Sequence, residues 1–235
     1  MSNVKPIGRR EALAAIGAAG AAVAFGCGSS PTSPSTTTGS STTTGGSTNA
    51  ACAVTPSETA GPYPSLADFF RSDVREGKPG TQLSLTIKVV NVNASCAPVA
   101  NANVEIWHCD ATGNYSEYGT QVRETYLRGI QTTNSNGEVN FTTIYPGWYQ
   151  GRATHIHVEV MINNNSVKVT QMAFPESINN TVHIQGAYST GGRGANPTSN
   201  AADGIFADSL SSELVTPTGD VSGGYSATFQ VGIAV

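Results

Sequence analysis

Charge is scarce in this chain. Only 12% of its 235 residues are charged, and 12 Lys+Arg stand against 16 Asp+Glu for a net charge of -4. No basic cluster or stripe interrupts that balance, so the electrostatic footprint of a nucleic-acid binder is missing and polyanions are excluded as partners. Long apolar runs are missing too. The longest, Leu13–Phe25, falls short of the ~20 residues a membrane-crossing helix needs. Amphipathic periodicity over ten or more residues is absent beyond residue 50, which excludes a helical bundle; around SLADFFRSD and DGIFADSL the pattern supports a turn or two of helix at most. There are only four cysteines and four histidines.

What is present divides the chain in three. Residues 1–27 have a basic start, Arg9 and Arg10 followed by EAL, and a short apolar stretch, the pattern of a twin-arginine-like export signal. The Gly26–Cys27 junction resembles a lipoprotein cleavage site, which would leave a lipid anchor on Cys27; soluble release into the periplasm or medium is the other outcome. Residues 28–50 are a Ser/Thr/Gly tract with nothing apolar to bury, and read as a flexible linker. Residues 51–235 are long enough for one domain with its own core. If Cys27 carries lipid, Cys52, Cys96 and Cys109 remain for an oxidising compartment. Cys96 lies in a loop, whereas Cys109 ends the strand that this loop feeds, ~20 Å away at strand rise. Cys52 with Cys96 is the expected pair.

Alternating apolar and polar residues mark strands at 83–90, 103–108, 137–144, 155–162, 166–174 and 225–235, separated by NSNG, YPGW and NNN turn chemistry. Many short strands without intervening helices predict an all-β, mostly antiparallel sandwich with long loops at its ends. The segments 110–130 and 175–224 are the long ones, and the second is expected to wall a pocket.

Within RATHIHVEV, residues two apart share a strand face, so His155, His157 and Glu159 point one way and Ile156, Val158 and Val160 the other. Both imidazoles can reach one ion, although His-x-His is equally the mark of a polar strand face. Zinc would recruit a further ligand from His108, His183, Cys109, Asp110 or Glu159, none of which stands out by spacing. Tyr115 and Tyr149 do stand out, each on a glycine-containing loop attached to a strand. An ionised phenolate at neutral pH demands strong local positive charge, and two phenolates with two neutral imidazoles favour Fe(III) over Fe(II). Two other readings stay open: a secreted ligand-binding module with Trp107, Trp148 and Tyr149 as a stacking platform, and a zinc hydrolase built on the histidine pair.

The segments TAGPYP (59–64), RSDVREGKPG (71–80), VEIWHCDATGNYSEY (104–118), YLRGIQTTNSNGEVNFTTIYPGWYQGRATHIHVEV (126–160) and TQMAFPE (170–176) resemble, in order, those of the intradiol ring-cleavage dioxygenases, the family of protocatechuate 3,4-dioxygenase and catechol 1,2-dioxygenase. The resemblance implies a β-sandwich holding one mononuclear non-haem Fe(III) per chain through Tyr115, Tyr149, His155 and His157. It further implies that Arg152 is the active-site arginine, that Gln171 lies near the substrate ring, that Gly61, Pro62 and Tyr63 line the pocket, and that Trp107 packs beneath the iron loop. Tyr149 would be the ligand that swings off when substrate binds, making it catalytic as well. The implied partners are a small aromatic diol and O2, and the implied product is a cis,cis-muconate. Ala60 and Pro64 depart from the family pattern, where Glu and a second aromatic are common, and the helical dimerisation segment of the catechol-cleaving branch is absent.

Overall fold

The computed structural model describes residues 52–235, so the export signal of 1–27 and the linker of 28–50 lie outside the described residues. Two sheets face each other. In the first, β1 (Gln82–Asn91) pairs antiparallel with β5 (Glu138–Ile144) and, at its end, with the two-residue β2 (Ala97–Pro98). Its other side runs parallel to β9 (Gly224–Ile233), which carries the short β8 (Thr218–Asp220). Parallel neighbours need a long crossover, and here nearly the whole domain lies between the two strands. The second sheet has the order β4 (Arg128–Thr132), β3 (Asn103–Trp107), β6 (His155–Ile162), β7 (Asn165–Ala173), all antiparallel. Leu83, Leu85, Ile87, Phe141, Phe229 and Val231 from the first sheet meet Val104, Ile106, Ile156, Val158, Val160 and Met172 from the second in one buried core. That is the all-β sandwich expected from the alternation.

Two elements depart from the sequence reading. Strand β4 begins within the expected loop 110–130 and runs two residues past it, because Gly129 interrupts a short alternation. The glycine is there for close packing: a Cβ at Gly129 would lie 2.5 Å from Val74 Cγ1. Helix α1 (Glu176–His183) lies inside the long 175–224 segment. Its sequence, ESINNTVH, has poor intrinsic propensity, and tertiary contacts supply what propensity lacks: Val182 is buried, and Asn179 accepts from the Tyr145 hydroxyl at 2.7 Å and donates to Phe174 O at 3.2 Å. A one-turn α2 (Leu210–Glu213) follows DGIFAD, while 65–73 forms no helix.

Those residues belong instead to an arm that crosses the outer face of the second sheet. The arm is fastened first to β9 and β7, through Thr55 N to Gly232 O (2.9 Å), Lys168 Nζ to Thr55 O (2.7 Å) and Glu58 N to Val169 O (2.9 Å). After crossing the face it is fastened to β4 and β5, through Arg71 N to Ile130 O (3.1 Å) and Val74 N to Thr142 O (3.0 Å). A Cys52–Cys96 disulfide ties its start to the loop before β2, the expected pairing, and Cys109 is free and buried. The polar outer residues of the sheet are therefore not wet. Arg128, Trp107, His157 and Gln171 are successive cross-strand partners, and all four are at most 1% exposed.

Candidate metal centre

Four side chains converge under the arm. Strand parity delivers His155 and His157 from β6, with their Nε2 atoms 3.2 Å apart, close enough for one ion at the usual ~2.0–2.1 Å nitrogen–metal distance to bind both. Tyr115 brings its hydroxyl to 3.5 Å from His155 Nε2. The Tyr149 ring stands edge-on to both, with centroids 5.6 Å from Tyr115 and 5.7 Å from His155. His155, His157 and Tyr115 are buried, and Tyr149 is partly exposed.

Each donor is held by a local device. His155 Nδ1 lies 2.6 Å from Ala153 O; a carbonyl can only accept, so the proton is on Nδ1 and the Nε2 lone pair points at the cluster. His157 stacks on Trp107 with centroids 4.8 Å apart and planes 1° apart, and among the described residues its Nδ1 has no hydrogen-bond partner. Tyr115 ends a loop built around Asp110, whose Oδ1 accepts from Thr112 N (2.9 Å), Thr112 Oγ1 (2.8 Å) and Asn114 N (3.0 Å), while Oδ2 pairs with Lys78 Nζ (2.7 Å). Burial raises the Asp110 carboxyl, but the bonds from Lys78, Asn114 and Thr112 outweigh it and hold the group below its ordinary range. The Tyr149 loop crosses this one at Gly147, where a Cβ would lie 2.2 Å from Asp110 O.

Electrostatics keep all four donors neutral without an ion. Burial, then the charge of Arg152, pulls His155 down to about 3; burial, then His155, pulls His157 well below its ordinary value. Burial raises Tyr115 well above 10 and also raises Tyr149, against the pull of Arg152. The imidazole lone pairs are thus free at physiological pH, and only a strongly charged cation beside the phenols would ionise them.

Around the donors, Arg152 brings Nη1 to 3.5 Å from the Tyr149 hydroxyl and donates from Nη2 to Gln171 Oε1 (2.6 Å); Gln171 Nε2 in turn donates to Thr59 O on the arm (2.8 Å). Gly61, at φ +68°, lies directly over His157, and Tyr63 stacks on Tyr115 at 4.7 Å. Pro62 is exposed. Of the other zinc-ligand candidates, Cys109 packs beside Trp107 and Tyr115, while His108 and His183 turn elsewhere. His108 Nδ1 and Nε2 are taken by Cys109 O (2.9 Å) and Thr143 Oγ1 (2.7 Å), His183 donates to Pro146 O (3.1 Å), and burial pushes the Cys109 thiol up to about 12. Among the described residues no group of three or more His, Cys, Asp or Glu could hold a metal, and the further oxygen donors that meet the histidine pair are the phenols of Tyr115 and Tyr149. The stacking platform is not formed either: Trp107 is buried under His157, and Arg193 lies over the Trp148 ring at 4.0 Å. Arg128 and Asp203 are also buried around the cluster, and no local pattern in the sequence marks either of them.

A family model described as Dioxygenase matches residues 62–189, more than half of the chain. The chain is 30% identical over 122 residues to the protocatechuate 3,4-dioxygenase beta chain of Burkholderia cepacia, covering 46% of this chain and 51% of that protein. It is 24% identical over 121 residues to a chlorocatechol 1,2-dioxygenase of Rhodococcus opacus, covering 43% and 46%. It thus spans about half the length of the curated relatives it matches. An intradiol ring-cleavage dioxygenase from Tetranychus urticae superposes with a TM-score of 0.69 at 29% identity, over 78% of this chain and 95% of that one.

Proposed function

The chain belongs to the intradiol ring-cleavage dioxygenases, and from that premise we propose that its four-donor cluster binds ferric iron and that the loaded protein cleaves a catechol-type ring with O2, between the two hydroxyl-bearing carbons, to a cis,cis-muconate. The observation that carries this reading is the convergence of two imidazole nitrogens and two phenols at one point under the arm. Two phenolates and two neutral imidazoles suit a trivalent ion, and the buried phenols need one to ionise. Held by Tyr115, Tyr149, His155 and His157, Fe(III) would supply the positive charge that ionises the phenols and the Lewis acidity that activates an aromatic diol toward O2.

The chain's own residues do the rest. A catechol must lose two protons to bind as a dianion. Tyr149, the more exposed of the two phenols, is the side chain able to leave the cluster and carry one of them on its oxygen, the other passing to solvent. Arg152 stands beside that phenol with Nη1 and stabilises negative charge developing on the substrate, its guanidinium held by Gln171 Oε1. The arm and the stacked ring of Tyr63 keep water from the donors. Residues 1–27 fit an export signal and 28–50 a tether to the catalytic domain; the Cys52–Cys96 disulfide supports the oxidising compartment this requires.

The test is spectroscopic and chemical. Protein loaded with Fe(III) should be red to burgundy from tyrosinate charge transfer, and should consume O2 with at least one of catechol, protocatechuate and hydroxyquinol to give the ring-opened diacid. A colourless ferric complex, or a coloured one inert toward the whole panel, would defeat the proposal.

A further inference from the structure

We infer that Asp203, distant in sequence from every metal-ligand candidate, is the positioning residue that sets both Arg152 and the peptide behind His155; the inference rests on the dioxygenase reading above. Its carboxylate is 1% exposed and sits in the segment between α1 and α2. Oδ2 accepts from Arg152 Nε at 2.8 Å and from Ala153 N at 2.7 Å, and Oδ1 accepts from Ile205 N at 2.9 Å. One oxygen therefore grips two consecutive residues whose remaining groups face the donors.

The two grips do different things. The first fixes the guanidinium through its Nε edge, which leaves Nη1 and Nη2 for Tyr149 and Gln171. With five N–H donors in a rigid fork, a guanidinium clamped along one edge has no freedom left to turn. The Phe206 ring, three residues beyond Asp203, packs beneath it at 5.8 Å. The second grip fixes the peptide between Arg152 and Ala153, and the next carbonyl along, Ala153 O, is the acceptor that holds the proton on His155 Nδ1. A shift of that peptide would release the imidazole to turn or change tautomer, and its Nε2 would no longer face the cluster. Asn196 Nδ2 donates to Arg152 O at 2.9 Å from the same segment, so the segment clamps the strand entrance from both sides of the backbone.

The experiment compares Asp203→Asn with the native protein, using Asp208→Asn, which removes a charge from an exposed position of the same segment, as control. Two readouts precede any turnover: the Arg152 Nε–H resonance in the metal-free protein and the ferric affinity by titration. In Asp203→Asn the Nε–H should lose its protection from exchange, ferric affinity should fall ~10–100-fold, and turnover per bound iron should fall by a similar factor. The control should match native protein in all three. In the Arg152→Ala background, Asp203→Asn should lower affinity but not lower turnover per bound iron any further, because residues acting as one unit are non-additive. Should Asp203→Asn not fold, Asp203→Glu, which keeps the charge and displaces it by one methylene, takes its place with the same expected signs. An unaltered Nε–H resonance, or turnover losses that simply add in the double variant, would overturn the inference. The metal-free resonance is scored independently of catalysis, so an inactive native enzyme would count against the dioxygenase reading, whereas an unaltered resonance would count against this inference alone.

Discussion

Replacing Arg128 by Leu tests how the arm is held over the site. The guanidinium is fully buried, donating from Nε to Ser116 Oγ (2.9 Å), from Nη2 to Ser116 O (2.7 Å) and from Nη1 to Tyr63 O (3.0 Å), with Glu117 Oε2 3.1 Å from Nε. Glu117 Oε2 also accepts from Leu66 N at 2.9 Å. One ion pair thus joins the arm (Tyr63, Leu66) to the residues that follow Tyr115. Burial lowers the Arg128 pKa, against the attraction of Glu117, so the pair is held by its geometry against a desolvation cost. Removing one partner of such a buried pair costs about 3–5 kcal/mol, because the other is left uncompensated. Against a typical stability of about 5–15 kcal/mol, that is a large fraction. With a urea m-value of about 2 kcal/mol/M, the unfolding midpoint should fall by about 2 M. Adding Glu117→Gln removes the stranded carboxylate and should restore about 1–3 kcal/mol. Limited proteolysis should meanwhile show new cleavage between residues 55 and 74 in the single variant. A midpoint drop below about 0.5 M, or a double variant no more stable than the single one, would refute the reasoning.

Other outcomes follow from the same geometry. Arg152→Ala should keep its iron, measured by elemental analysis, and lose about a hundredfold in O2-uptake rate, the usual effect of removing one preorganised charge-stabilising contact. Gly61→Ala places a Cβ 3.1 Å from His157 Cε1 at φ +68°; the backbone term alone costs about 1–2 kcal/mol, and both a lower melting temperature and a weaker ferric charge-transfer band are expected. Glu213 is raised to about 7 by burial, against hydrogen bonds from Ser209 and Thr170. Because its folded pKa lies above the unfolded one, its stabilising contribution is whole below about pH 4.5 and is lost as pH rises through 7. Glu213→Gln should therefore flatten the fall in melting temperature between pH 5 and 8, and an unchanged slope would show that Glu213 does not titrate in that window.

The sandwich was legible in the chain because alternation is a local signal: Leu83, Leu85 and Ile87 declare a core face whatever surrounds them. The histidine pair was legible for the same reason, since strand parity puts His155 and His157 on one face. What a strand cannot say is whether its polar face is wet. The 55–74 arm decides that by crossing the sheet from β7 to β4, through contacts between residues far apart in the chain. Strand β4 was hidden because Gly129 reads locally as a loop breaker, while its actual cause is Val74 pressed against it. Helix α1 was hidden because Asn179 and Val182 are stabilised by Tyr145, Phe174 and the core rather than by propensity.

By itself, then, the sequence determined the alternating strands and which donors could share a face, both consequences of backbone period and side-chain chemistry. Tertiary structure alone decided which of those donors meet and what holds them. Asp203 lies 51 residues from Arg152 and Arg128 lies 65 from Tyr63, and no local pattern encodes a contact whose partners are joined only by the folding of everything between them.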